Sequence, residues 1–295
     1  MRILSHIALL WLGFFALQSH AADLLVVVPS QTPLTEEFVS ALGKARTGDD
    51  IEVRSLTDSD QTEVDPALII TMGVASLQRR LEQGNRTPII ATYVTRSGLA
   101  AAGMTTPPDH VRLLLANPKP VRQLRLAQLL IPRLRTAGLL HSPNSAGQLE
   151  AWRNAAESTS LKLNYSQLLE LEDLARTLVS LLDRSDVLIG IDEPRIYNAD
   201  NLKTILLTSY TRDRVLIGPS APFIAAGSLS TTFSSPSEMA QSVSYLMDQA
   251  SSAGSTSYPR FFSVLSNQQV ARSMGFAPPD DAQLASELAR MEGIR

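Results

Sequence analysis

The chain has 295 residues, enough for one large domain or two smaller ones with separate cores. Apolar and charged residues occur in ordinary proportions, which excludes a disordered chain. The net charge of −3 lacks the basic excess typical of nucleic-acid binding, so we expect no nucleic-acid partner. Because there is no Cys, neither a disulfide nor a lipid anchor on Cys is available.

Residues 1–21 have the pattern of a secretory signal peptide. Arg2 supplies a positive start, residues 7–17 form an apolar run too short to span a bilayer comfortably, and Ser19 and Ala21 place small residues before a cleavage site. The alternatives are an uncleaved anchor or a buried first helix. We expect cleavage after Ala21 and a periplasmic protein with no stable membrane insertion, since no later segment is apolar enough to span a membrane.

Strand-like and helix-like segments alternate in the first half of the remaining chain. Apolar or alternating runs predict strands at 24–28, 51–54, 67–72 and 89–94. A helix is expected from Pro33 to Arg46, with Thr32 as its N-cap, and another from Gly73 through Gln83. The alternating run at 51–54 is typical of a half-exposed edge strand.

The pattern restarts near residue 115 and continues to the end of the chain. The predicted helices are 121–130, 148–158, 171–183, 235–253 and 281–291, and the predicted strands are 136–140, 161–165, 187–191, 215–218 and 261–265. This alternation is typical of parallel sheets with right-handed crossovers. We therefore predict an α/β protein made of two Rossmann-like lobes.

Signals for catalysis or for a cofactor are weak. After residue 21 the chain has only His110 and His141, and it has no Gly-x-Ser-x-Gly elbow, phosphate-binding loop or dinucleotide-binding glycines. Asp192 and Glu193 are adjacent acids, but neighbouring residues after a strand usually point apart. We expect no catalytic residue, no metal and no cofactor, and we regard an extracytoplasmic hydrolase as the weakest alternative. His141 is expected in solvent.

Polar residues that follow predicted strands form a candidate binding site. Ligands of open α/β sheets bind at the carboxyl ends of the strands, where these residues lie. The candidate ligand-binding residues are Ser30, Thr32, Ala75, Ser76, Thr95, Arg96, Asn144, Asp192 and Ser220.

Three of these positions suggest particular chemistry. The backbone N–H groups and the Ser76 hydroxyl at the predicted helix start after Gly73 can hold an anion, or can be satisfied by water. Arg96 can bind a carboxylate through its forked guanidinium, and Asp192 can accept an ammonium group. Aromatic residues near the strand ends, such as Tyr93, Tyr197 and Phe223, are expected in the core.

Several segments together resemble one protein family. They are PALIITMGVAS, TPIIATYVT, IPRLRTAGLLHSPNS, SDVLIGIDE, RVLIGPSAPFIAAGSLS and FFSVLSNQQVARSMGF. The chain from about Leu24 to Pro279 resembles the ABC-transporter substrate-binding protein family related to tryptophan- and tyrosine-binding lipoproteins. The resemblance implies a periplasmic-binding-protein-like fold of type I, with three crossings between two lobes. The N-terminal lobe would comprise 22–114 plus 230–260, and the C-terminal lobe 115–229 plus 261–295.

Departures from the family pattern fall on the cleft side. The family commonly has Asp-Pro where this chain has Arg96-Ser97, and it has an Ile-Thr-Gly turn where this chain has residues 110–114. The resemblance therefore implies the fold but not the ligand. We expect a protein that captures an amino acid or similar small polar molecule for an ABC importer. The alternative is a module of the same fold that acts with a membrane sensor kinase or receptor.

Overall fold

The computed structural model describes residues 23–56, 66–84, 86–104, 106–249 and 254–294. The predicted signal peptide at residues 1–21 lies outside these ranges, as does the end of the helix predicted over 235–253. Within the described ranges, no helix combines the length and the apolar character that crossing a membrane requires.

Two six-stranded sheets form the framework, one in each lobe. The first has the order β11-β5-β4-β3-β1-β2, and the second has the order β12-β10-β9-β8-β6-β7. All neighbouring strands are parallel except β12, which runs antiparallel to β10. The predicted fold class, two Rossmann-like lobes with parallel sheets, is confirmed.

The strands of the first sheet are β1 (Leu24–Val28), β2 (Ile51–Ser55), β3 (Leu68–Met72), β4 (Ile89–Val94), β5 (Val111–Leu115) and β11 (Thr256–Ser257). Those of the second are β6 (Thr136–His141), β7 (Lys162–Gln167), β8 (Val187–Ile189), β9 (Leu216–Ile217), β10 (Ser230–Phe233) and β12 (Ser263–Ser266).

Helices cover both faces of each sheet. The first lobe has α1 (Pro33–Ala45), α2 (Gly73–Glu82), α3 (Arg96–Ala101) and α9 (Pro236–Met247). The second has α4 (Pro120–Leu130), α5 (Leu149–Thr159), α6 (Leu174–Leu182), α7 (Ala199–Tyr210), α8 (Pro222–Ala225), α10 (Gln268–Ser273) and α11 (Asp281–Met291), with short 3-10 helices at Pro143–Gln148 and Leu171–Asp173. Because helices lie on both faces, all five residues of β1 are buried.

Helix α1 shows how local sequence sets an element's start. Thr32 accepts a hydrogen bond from the backbone N–H of Thr35, and the Thr35 hydroxyl accepts one from the Thr32 N–H at 2.8 Å. Pro33 occupies the first turn, where its missing N–H costs nothing. The predicted N-cap is confirmed, as is the edge position of β2.

Three crossings connect the lobes, as the resemblance implies. They lie between β5 and α4, between β10 and α9, and between β11 and β12. The second crossing differs from the expected boundary at 230, since β10 pairs with β9 and β12 in the second sheet. The amide of Gln123 on α4 also bonds Thr231 and Thr232 of this strand, so the chain enters the first lobe only after Phe233. Leu115, expected in the second lobe, closes β5 in the first.

A group of charges, here called the hinge cluster, lies beside the first and third crossings, with the side chains of Arg122 and Glu292 buried and that of Lys119 partly exposed. It consists of Lys119, Arg122 and Glu292. Arg122 donates to both carboxylate oxygens of Glu292, at 2.7 and 2.9 Å, and Lys119 donates to one of them at 2.8 Å. Arg122 also donates to the Pro259 carbonyl at 3.1 Å and stacks 3.5 Å from the ring centroid of Phe262. The cluster therefore ties α4, α11 and the third crossing together.

Candidate functional site

The two lobes meet directly where the carboxyl ends of their sheets face each other. Asp192, which follows β8 in the second lobe, accepts two hydrogen bonds from Ser97 of α3 in the first lobe. The Ser97 backbone N–H lies 2.7 Å from Oδ2, and its hydroxyl lies 2.7 Å from Oδ1. We call this pair the cleft contact. A carboxylate at the first turn of a helix also complements the helix dipole.

The cleft contact is one of several bonds that satisfy the first turn of α3. The N–H of Arg96 donates to the Asn117 side chain at 2.9 Å, and the N–H of Gly98 donates to the Thr95 hydroxyl at 3.0 Å. The backbone donors at this helix start are therefore taken by Asn117, Asp192 and Thr95. The N–H groups of Arg96, Ser97 and Gly98 are therefore not free to bind a ligand, so a ligand at this helix start would be bound by side chains.

A backbone irregularity in β4 precedes this turn. Tyr93 has a positive φ of 55°, and the pairing of β4 with β5 shifts register between Thr92 and Val94. Such a bulge bends a strand and re-aims the residues after it. Burial, with the nearby Glu37 carboxylate, raises the pKa of the Tyr93 phenol. The strained turn thus precedes Thr95 and Arg96 at the edge of the cleft.

The two acids after β8 have different partners. Asp192 reaches the other lobe, whereas Glu193 is buried and accepts hydrogen bonds from the Ser142 hydroxyl and the Arg195 N–H within its own lobe. Gln148 donates to the Asp192 carbonyl at 2.7 Å. The expectation that the adjacent acids point apart is confirmed, and Glu193 anchors the loop that presents Asp192.

Three cavities surround the cleft contact, and residues of both lobes line each of them. Cavity A is narrow, with room for little more than a water molecule, and is bounded by Arg96, Gln123, Trp152, Gly190, Asp192 and Tyr258, among others. Gly190 is required in its wall, because a Cβ there would lie 2.6 Å from Cδ of Pro219. This close approach brings the loops after β8 and β9 together.

Cavities B and C both border α3 and are larger than cavity A. Cavity B is lined by Arg96, Leu99, Met104, Leu113, Asn144 and Gln148, with others. Cavity C is lined by Ser97, Ala101, Asn144, Asp192, Glu193 and Arg195, with others. Arg96 is shared by A and B, Asn144 by B and C, and Gln148 by all three, so the three cavities adjoin one another in the cleft between the lobes.

Arg96 stands out among the side chains of this cleft. Its guanidinium makes two long hydrogen bonds to the Tyr258 hydroxyl, at 3.3 and 3.4 Å, and lies 5.9 Å from that ring's centroid. Among the described residues it has no carboxylate within salt-bridge distance. A half-buried cation is thus held by a neutral hydroxyl alone.

The structure brings together four of the nine predicted ligand-binding residues. Arg96, Asn144 and Asp192 line the cleft, and Thr95 caps the helix that begins at Arg96. These four residues lie in one cleft, although 97 positions separate Thr95 from Asp192 in the sequence. That they contact a ligand stays a prediction.

The other five lie away from these three cavities. Ser30 and Thr32 are exposed and belong to the capping arrangement of α1, and Ser220 accepts a hydrogen bond from the Phe223 N–H through its carbonyl. Ala75 is exposed, whereas Ser76 is fully buried and its hydroxyl has no hydrogen-bond partner. Their predicted binding roles receive no support from the cavities.

His141 corrects one expectation. It was predicted in solvent, but it is buried beside Tyr165, with Nδ1 3.0 Å from the Ser142 carbonyl. This hydrogen bond satisfies the ring nitrogen, which allows the side chain to be buried. Tyr197 is also in the core, as predicted, and its hydroxyl donates to the Ile189 carbonyl at 3.3 Å.

Sequence reasoning missed several residues of the cleft, among them Ser97, Asn117, Gln148, Trp152 and Tyr258. Asn117 and Tyr258 lie on interlobe crossings, and Asn117-Pro118 after β5 was a detectable turn signal. Ser97 was noted only as a departure from the family pattern. In the part of the chain that the structure describes, no group of His, Asp and Glu residues is arranged to hold a metal ion.

Comparison with solved structures supports the two-lobe fold. The chain is similar to an ABC domain from Streptococcus pneumoniae in complex with L-Trp, at 15% identity and a TM-score of 0.51, over 88% of this chain and 96% of that one. It is also similar to a substrate-binding protein with adhesive properties from Clostridium difficile, in its ligand-free, open structure, at 15% identity and a TM-score of 0.63 over the same shares. A conserved domain protein from Vibrio cholerae gives 13% identity and a TM-score of 0.52, again over 88% and 96%. No protein-family model and no curated protein matches the sequence. At these identities the likeness confirms the fold that the resemblance implies.

Proposed function

We propose that this protein is an extracytoplasmic solute-binding protein that captures a small ligand between its two lobes. The observation that carries the proposal is the group of adjoining cavities between the lobes, one of which is lined by both Arg96 of the first lobe and Asn144 of the second. Ligand pockets occur preferentially at such domain interfaces. The structurally similar protein from Streptococcus pneumoniae is described as a complex with L-Trp.

The proposed mechanism is binding without chemistry. Three crossings allow the lobes to rotate about the hinge while each keeps its own core. A ligand that touches both lobes stabilises the arrangement in which they approach, and that arrangement excludes water from the ligand. The cleft contact lies in the same cleft, so Ser97 and Asp192 would lock the lobes beside the bound ligand.

The compartment and partner are part of the proposal. The signal-peptide pattern at residues 1–21 supports export to the periplasm. There the protein would deliver its ligand to the permease of an ABC importer. Genes for a permease and an ATPase beside this one would support that role, whereas a neighbouring sensor kinase would favour signalling.

A thermal-shift screen of the purified protein tests the function. The panel would contain amino acids, small carboxylates, nucleosides and sugars, each at millimolar concentration. A ligand with micromolar affinity at that concentration adds about 4 kcal/mol to the free energy of unfolding, so the midpoint temperature of unfolding rises clearly. A well-folded protein that no class of ligand stabilises would contradict the proposal.

Variants then locate the site. With a ligand from the screen, Arg96→Ala and Asn144→Ala should each weaken binding, since these side chains come from opposite lobes. The matched control is Asn154→Ala, because Asn154 is an exposed residue on α5. Full affinity in both site variants would place the ligand elsewhere.

A further inference from the structure

Cavity B differs from the rest of the cleft in its charge. Its walls are mainly apolar, formed by Leu99, Met104, Leu113 and Leu115, and its uncharged polar lining residues are Asn144, Gln148 and Thr256. Arg96 is the only charged residue among the described residues that line it. A cationic residue in the wall of a largely apolar cavity complements one anion on an apolar body.

The surroundings of Arg96 leave its charge without a counter-ion. Its two bonds to the Tyr258 hydroxyl are long, and among the described residues no carboxylate lies within 4.0 Å of it. Burying a cation without a charged partner is unfavourable, and a ligand anion would relieve that cost. The guanidinium also presents paired N–H donors that match the two oxygens of a carboxylate.

Asp192 is the nearest candidate for the opposite role, that of binding a ligand's ammonium group. Each of its oxygens already accepts a hydrogen bond of 2.7 Å from Ser97, and Asp192 does not line cavity B. The same carboxylate holds the lobes together. A ligand in cavity B therefore meets a positive charge but no negative one.

From this we infer that the ligand of the cleft is a small monocarboxylate with an apolar body, whose carboxylate binds Arg96 while its apolar part fills cavity B. The inference rests on the proposed function and narrows its substrate class. A phosphate ester fits less well, because one guanidinium cannot balance a second negative charge in an apolar cavity. A zwitterionic amino acid fits less well too, since its ammonium group would be desolvated there without a partner.

Matched pairs of acid and amide give a direct test by isothermal titration of the purified protein. The probes are linear acids of two to eight carbons and phenylacetate, each against its own primary amide, with L-phenylalanine as the zwitterion. Acid and amide have nearly the same size and apolar body, so their difference isolates the charge. We expect at least one acid to bind about 30-fold more tightly than its amide, as a charge-assisted bond provides.

Variants show whether Arg96 reads the charge. Arg96→Gln should abolish the difference in affinity between acid and amide, and Arg96→Lys should retain part of that difference, since a point charge lacks the forked geometry. Arg176→Gln is the matched control, because Arg176 is an exposed arginine on α6 that pairs with Asp173. It should behave like the wild type.

The outcomes separate this inference from the proposed function. If amides or L-phenylalanine bind as tightly as the acids, or if Arg96→Gln keeps the preference for the acid, the inference is overturned and the solute-binding function stands. If sugars or nucleosides bind but no acid does, the result is the same. If the folded protein binds no probe of any class, both are overturned.

Discussion

Two polar ties lie where the lobes join, and they are built from different chemistry: the hinge cluster holds the second lobe to the third crossing, and the cleft contact joins one lobe to the other. In the hinge cluster, the side chains of Arg122 and Glu292 are 3% and 6% exposed, and they carry full charges. In the cleft contact, Ser97 and Asp192 are half-buried and adjoin open cavities. Removing one partner of the hinge cluster leaves a buried charge without a counter-ion. Breaking the cleft contact only replaces its hydrogen bonds by hydrogen bonds to water. We therefore expect the cleft contact to open at a lower cost in free energy than the hinge cluster.

The largest effect is expected at the hinge cluster. Glu292→Gln keeps the side chain's shape but removes the charge that balances Arg122, so we expect the free energy of unfolding to fall by about 3 kcal/mol. Urea unfolding measures it. Glu287→Gln, on the same helix but in an exposed pair with Arg290, is the control and should leave the urea midpoint unchanged. Equal losses of stability in the two variants would show that the hinge cluster stabilises the protein no more than an exposed ion pair does.

Low pH should weaken the hinge cluster. Burial alone would raise the pKa of Glu292, but hydrogen bonds and the charges of Arg122 and Lys119 outweigh it and hold the pKa below its ordinary value. The unfolded chain then binds this proton more tightly, so the stabilisation is complete above the unfolded pKa of about 4.3 and is lost as the pH falls through the folded value. Unfolding at a series of pH values should show a shallower acid slope in Glu292→Gln than in the wild type. Identical slopes would contradict this origin.

A smaller effect is expected at the end of β1, which sequence reasoning placed in the binding site. Thr32→Ala removes the cap of α1 and should lower the free energy of unfolding by about 1 kcal/mol. Ligand affinity should not change, because Thr32 lines none of the three cavities. Thr32→Ser, which can still cap, is the control. A loss of ligand affinity in Thr32→Ala but not in Thr32→Ser would show that the end of β1 belongs to the ligand-binding site.

The smallest effect on stability, but the largest on lobe arrangement, is expected at the cleft contact. Asp192→Asn should change the free energy of unfolding by less than about 1 kcal/mol, since water replaces the lost bonds. It should lengthen the distance between spin labels at cysteines introduced at Gln78 and Asn154, one in each lobe. The chain has no Cys of its own, so labelling is specific. Ser97→Ala should have a smaller effect because its backbone N–H remains.

Asp200→Asn, an exposed acid on α7, is the control for that distance measurement. It should reproduce the wild-type distance. If Asp192→Asn does so too, the cleft contact does not hold the lobes together, and the comparison between the two ties fails.

Much of the fold could be predicted because it depends on local patterns. Apolar runs such as Leu24–Val28 and the periodic segment Asp281–Met291 correspond to β1 and α11 with the same bounds. Strand β5 was missed because Arg112 interrupts its apolar run, and that arginine donates to the Leu246 carbonyl on α9. Only the packed structure provides such a partner.

The site was less accessible to sequence reasoning because it depends on distant residues. The rule that ligands bind at strand ends correctly located Arg96, Asn144 and Asp192 in the cleft. It could not rank one strand end above another, so Ser30 and Ser220 were given equal weight. The pairing of Ser97 with Asp192, 95 positions apart, arises from the way the lobes face each other. Local patterns contain no trace of that relation.

Hydrogen–deuterium exchange with and without the ligand found in the screen tests the central claim most directly. Capture between the lobes predicts slower exchange in both lobes at once, at residues 95–101 of the first and at 142–148 and 190–195 of the second. The segment 33–45 of α1, away from the cleft, should not change. Protection confined to one lobe, or located outside the cleft, would contradict the claim that the ligand is held between the two lobes.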